Sequence, residues 1–134
     1  PGKIYQSGMR VQTNNAKSYR YPDVVMVCGE AQFMDSGQDT LVNPSVFIEV
    51  LSKSTAEVDR ITKAWEYRQI PSLKDYLVVA SDKATIEWYH RQENSTWLIS
   101  TIEGLDQHIH LDAVECTLLL GDMYEKIDFS EDNN

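Results

Sequence analysis

Two short apolar runs decide most of what this chain can become: Val46–Leu51 (VFIEVL) and residues 76–80 (YLVVA), with a single helical segment between them. Both are bounded by turn-forming residues and rich in β-branched or aromatic side chains, so both read as strands. YLVVA is continuously apolar, which suits a central strand covered on both faces. Between the runs, Ser54 or Thr55 caps a helix predicted over 55–69. Thr55-Ala-Glu-Val puts an acid in its first turn, and Pro71 stops it. A strand–helix–strand passage of this kind places its two strands parallel, crossing right-handed. VFIEVL also holds Glu49 where the pattern asks for an apolar side chain. A carboxylate buried there loses hydration and needs a partner, a metal or a proton.

The remaining pattern is mostly β. Residues 9–12 form a short strand, 13–18 a polar loop, and 21–27 (YPDVVMV) a strand with Pro22 at its tolerated first position. Residues 28–43 read as a loop. After the turn Ser81-Asp82-Lys83, residues 86–91 and 97–102 form a hairpin, 108–111 one more strand, and 116–127 a segment ending as a short helix. With 134 residues, the whole chain 1–134 is expected to be a single domain. Its expected class is α/β, a mixed sheet with one main helix and a peripheral β-hairpin.

Composition narrows the function classes. No apolar run reaches membrane-spanning length and no leader precedes a cleavage site, so a cytoplasmic protein is expected. Cys28 and Cys116 lie far apart with no CxxC or His spacing, and read as small buried hydrophobes. The net charge of −9 argues against a protein that coats phosphates with Lys and Arg. It does not exclude a nuclease, because metal-holding acids contribute to the count. The opening PGKIYQSGM carries no initiating Met, which suggests a processed or truncated piece.

Asp23 opens the VVMV run as Glu49 interrupts VFIEVL. If the two strands are neighbours, the carboxylates converge and repel unless a cation lies between them. Oxygen-only ligation suits Mg²⁺ or Mn²⁺. The competing reading is equally open at this point: Asp23 accepts a backbone hydrogen bond and Glu49 pairs with an Arg. On the following helix, Asp59, Lys63 and Tyr67 share a face. Lys63 can position a metal-bound water if it turns toward Glu49. Val58, Ile61 and Trp65 form a stripe nearly opposite, and the pattern favours that stripe as the core face, with Lys63 solvated.

The blocks YRYPDVVMVCGE, NPSVFIEVLSKST and DRITKAWEYRQIPSLKDYLVV, in this order, resemble the Uma-two-type family of endonucleases in the PD-(D/E)XK nuclease superfamily. The resemblance runs from about Tyr5 to Ile127. It implies a restriction-endonuclease-like fold and Mg²⁺- or Mn²⁺-dependent hydrolysis of DNA. By position it makes Asp23 and Glu49 catalytic metal ligands, adds the Val50 carbonyl as a third metal ligand, and places Ser52 and Tyr67 at the edge of the site. The superfamily lysine, two residues after the second acid, is Leu51 here. The resemblance moves that role onto the helix, at Lys63. Lys53 stands where the family has Pro, and is read as a solvated turn residue. The family's N-terminal helix and strands, which contribute an acid to the site, have no counterpart, so the fold is expected to lack its N-terminal part. A homo-oligomer, as a dimer, is expected, and Trp65 with Ile61 would serve it.

Other candidates carry less. His108 and His110 alternate on one strand face, without a third ligand at recognisable spacing. His90 in WYHRQ reads as a nucleic-acid contact or as an outer hairpin residue. Trp65, Trp88, Trp97 and Tyr89 read as packing. No phosphate loop, GxSxG or HExxH is present. The alternative to a nuclease is an inactive nuclease-fold domain acting as a protein interaction module.

Overall fold

The structure, a computed structural model, describes residues 2–6, 9–13, 19–34, 40–51 and 57–125. In chain order its strands begin with β1 (Gly2–Gln6), β2 (Arg10–Gln12), β3 (Tyr19–Arg20), β4 (Val24–Cys28), β5 (Thr40–Leu41) and β6 (Val46–Leu51). Helix α1 (Glu57–Arg68) follows, then β7 (Asp75–Ala80), β8 (Thr85–Arg91), β9 (Trp97–Glu103), β10 (His108–Leu111), β11 (Cys116–Leu119) and α2 (Leu120–Tyr124). The main sheet has the order β1-β4-β6-β7-β8-β9. Within this sheet, among the described residues, β6 and β7 alone pair in parallel, with Glu49 opposite Val78, as the intervening helix requires. The other neighbours in that sheet are antiparallel. This mixed sheet with one main helix is the α/β arrangement expected.

Alternation along β7 explains why the sheet is covered twice. Tyr76 and Val78 join Val25, Phe47, Ala64, Tyr67 and Leu73 in one core, beneath α1. Leu77 and Val79 point the other way, to Met26, Val46, Ile48 and Ile86, where β10 supplies Ile109 and Leu111 and α2 supplies Leu120 and Tyr124. A strand buried on both faces has no polar side, hence YLVVA. A small sheet, β3-β2-β5, adds Val11 and Leu41 to the α1-side core. Arg91 ties the hairpin to the end of α1: its guanidinium donates to the carbonyls of Leu73 (2.7 Å), Ile70 (2.8 Å) and Arg68 (3.2 Å). Arg68 is the last residue of α1, where a helix leaves its carbonyls without intrahelical partners; Ile70 and Leu73 lie in the turn that follows.

Several expectations need correction. The strand expected over 21–27 begins only at Val24, and Tyr19–Arg20 belongs to the small sheet. Residues 28–43 hold β5, and 116–127 begins as β11 before its short helix. Cys28 is exposed and Cys116 half-buried, both free thiols. Among the described side chains of α1 the buried ones are Ala64 and Tyr67, while Ile61 (58% exposed) and Trp65 (55%) of the expected core stripe face outward. The side chain of Val58 and the cap at 54–55 lie outside the described residues. His90 is not an outer hairpin residue. Its Nδ1 lies 2.7 Å from Oδ1 of fully buried Asp75, which also accepts the Trp88 indole N–H at 2.8 Å. His108 and His110 are exposed on β10, as read. Among the described residues no helix is long and apolar enough to cross a membrane.

Candidate active site

Strand β6 presents Glu49 to the side that α1 covers, because its register partner Val78 and its i−2 neighbour Phe47 belong to that core. The side chain is only 5% exposed. Lys63, on the same flank of α1 as Tyr67, donates from Nζ to Glu49 Oε2 at 3.1 Å. Glu49 therefore has a lysine as its charge partner, not the Arg of the competing reading, and Lys63 is turned inward despite the sequence pattern. The other oxygen, Oε1, is buried and has no hydrogen-bond partner among the described residues.

Asp23 reaches the same place from β4. Val24 pairs with Ile48, so one further antiparallel step sets Asp23 opposite Glu49. The β4–β6 ladder has ended there, and the exposed Asp23 takes over its role: the Val50 N–H donates to Oδ2 at 2.7 Å. This is the backbone hydrogen bond of the competing reading, and it also fixes the carboxylate beside the strand that carries Glu49. In an extended strand the N–H and C=O of one residue point to the same edge, so the Val50 carbonyl faces Asp23 as well.

Tyr67 packs edge-on between Phe47 (4.7 Å between ring centroids) and Tyr76 (4.9 Å). Burial first, and then the negative charge of Glu49, push its hydroxyl far above the usual phenol range, while Arg20 offsets part of that rise. The phenol therefore stays protonated next to the carboxylate. A raised folded-state pKa stabilises the fold below the unfolded value of 10.0 and loses that contribution as pH climbs beyond it. Urea titrations between pH 9 and 11 are expected to show stability falling by about 1.4 kcal/mol per pH unit above 10 from this group. Tyr67→Phe removes that part of the slope. A variant with an unchanged slope would show that Tyr67 ionises freely in the folded protein.

Two residues near the site had no place in the sequence reading. Arg20 grips Glu66 of α1 with Nε to Oε2 and a terminal nitrogen to Oε1, both at 2.8 Å. Arg20 stands three residues before Asp23, and Glu66 one helical turn beyond Lys63, a spacing that could have drawn attention to the pair. Ser52 lies outside the described residues.

A sequence profile described as "Putative restriction endonuclease", Uma2, matches residues 1–120. The chain belongs to the Uma2 family. Among curated proteins, this Uma2 chain is 36% identical over 107 residues to the uncharacterized protein sll1609 of Synechocystis sp., covering 80% of this chain and 60% of that one. It is 32% identical over 105 residues to slr1290 of the same organism, covering 78% and 54%. The chain thus spans little more than half the length of the curated relatives it matches. A crystal structure described as a putative nuclease belonging to DUF820, from Anabaena variabilis, superposes with a TM-score of 0.68 at 13% identity. That match covers 92% of this chain and 68% of the other, and it shows the restriction-endonuclease-like fold.

Among the described residues, no three of His, Cys, Asp and Glu gather as metal ligands. Two carboxylates and a backbone carbonyl still suit a hard cation: Mg²⁺ retains several waters and takes one or two protein carboxylates. The unpartnered Glu49 Oε1 is the feature such an ion would complete.

Proposed function

We propose that this Uma2 domain hydrolyses DNA phosphodiester bonds with Mg²⁺ or Mn²⁺ held by Asp23, Glu49 and the Val50 carbonyl. What supports the reading is the buried Glu49 Oε1, left without a hydrogen-bond partner among the described residues, on the strand that Asp23 caps. A bound cation would supply a coordinated water of lowered pKa and stabilise charge on the phosphorus. Asp23 and Glu49 would hold and orient that cation. Lys63, at 3.1 Å from Glu49, holds a proton and a positive charge where the attacking water and the phosphate oxygens would meet. Tyr67 keeps its hydroxyl proton beside Glu49 and limits water on the helix side.

A cytoplasmic setting goes with this reading, since Cys28 and Cys116 are both free thiols. A homodimer would draw on the outward Ile61 and Trp65 of α1. The direct test needs no substrate. Calorimetric titration with Mn²⁺ is expected to show binding by the parent and none by Asp23→Asn. A folded parent that binds no Mn²⁺ sinks the proposal, and leaves a nuclease-fold interaction module as the reading to pursue.

A further inference from the structure

The Arg20–Glu66 contact has the form of a strong pair: two parallel N–H···O bonds of 2.8 Å, with side chains 32% and 20% exposed. It spans 46 residues of sequence, from the end of β3 to the last turn of α1. Most partly exposed ion pairs add little to folding stability, and bidentate geometry of this kind is the exception, so the pair can also strap α1 to β3. Its location suggests another role. Glu66 lies at i+3 from Lys63, and residues at that spacing are neighbours on a helix surface. A free Glu66 carboxylate is therefore a local competitor for the Lys63 ammonium, within the same helix. In the structure Lys63 sits on Glu49 of the adjacent strand, while Arg20 neutralises Glu66 and engages both of its oxygens.

We propose that Arg20 is a positioning residue: by occupying Glu66 it keeps Lys63 directed at Glu49. The catalytic consequence rests on the phosphodiesterase reading above, but the placement of Lys63 does not. Arginine suits this task better than lysine, because its planar fork meets both carboxylate oxygens at once. Pro22, buried between Arg20 and Asp23, fixes the backbone that joins the positioning residue to the acid.

Competition and simple strapping predict different mutant patterns. If the pair only straps two elements together, Arg20→Met and Glu66→Gln weaken the site equally, and the double variant is no better. If Arg20 removes a competitor, Arg20→Met is harmful, Glu66→Gln is close to neutral, and Arg20→Met/Glu66→Gln recovers. Two readouts serve. The first is acylation of Lys63 by a water-soluble succinimidyl ester in the metal-free protein, followed by peptide mass spectrometry. The second is kcat and KM for Mn²⁺-supported hydrolysis of bis(p-nitrophenyl) phosphate.

Arg20→Met is expected to speed Lys63 labelling several-fold and to lower kcat about tenfold with KM little changed. Glu66→Gln and the double variant are expected to stay near the parent in both. Equal loss in the two single variants, or no recovery in the double, overturns the proposal. Should Arg20→Met fail to fold, Arg20→Lys replaces it in the same comparison, and recovery on adding Glu66→Gln remains the deciding result. If the parent hydrolyses nothing, the phosphodiesterase reading falls, and the labelling pattern alone still decides the role of Arg20.

Discussion

Glu49→Gln is expected to lower Mn²⁺-dependent hydrolysis of bis(p-nitrophenyl) phosphate by about 10³-fold or more, an increase of roughly 4 kcal/mol in the barrier. The side chain keeps its size and a carbonyl oxygen that can still accept from Lys63 Nζ, so the packing around Phe47 and Val78 changes little. What it loses is one of the two negative charges offered to a cation. It also replaces one carboxylate oxygen with an amide nitrogen, which no hard cation accepts as a ligand. This small activated diester is chosen because it asks nothing of recognition: a sequence-specific enzyme fails on the wrong DNA even when its chemistry is intact. Circular dichroism and a thermal melt guard against a trivial loss of fold. Activity near the parent level in a folded Glu49→Gln protein would remove Glu49 from the reaction and return it to a structural ion pair.

The sequence displayed the central layer of this fold and concealed its margins, for a physical reason. VFIEVL, YLVVA and the 86–102 hairpin are long enough for burial to impose a repeating pattern, and they lie where that pattern put them, within a residue or so. β3 and β5 have two residues each, too few for any period, and exist because the small sheet gathers them against Val11. The helix face was misread because apolar bulk was taken as the sign of burial. Ala64 is small enough for α1 to approach the sheet, and Tyr67 fills the space beside Glu49, whereas Ile61 and Trp65 point outward. That choice of face turned Lys63 inward. Asp23, Glu49 and Lys63 could be nominated from residue type and resemblance, but not their contacts: the Val50 N–H on Asp23 and the Lys63–Glu49 pair depend on register and helix rotation. The Arg20–Glu66 pair depends on tertiary placement even more: spacing sets each residue beside a candidate, but does not join the two across 46 residues.

Lys63 offers the sharpest separation of a functional site from a stabilising contact. Lys63→Met keeps much of the side chain's apolar stem but removes the ammonium facing a carboxylate that is 6% exposed. Removing one partner of a buried pair is costly, because the desolvated charge remains. Urea unfolding without divalent cation is expected to show a loss of about 3 kcal/mol. Replacing both partners behaves differently: Glu49→Leu/Lys63→Met fills the same space with apolar atoms, and is expected to be as stable as the parent or more so. If Glu49 and Asp23 hold a cation, Mn²⁺ at about 100 times its dissociation constant should return roughly 2.7 kcal/mol to Lys63→Met, and nothing to the double variant. A purely structural pair predicts the same losses with no response to Mn²⁺ in any of the proteins. A double variant more stable than the parent, yet unable to bind metal, would mean that this fold keeps a destabilising charge pair at its centre because the chemistry needs it.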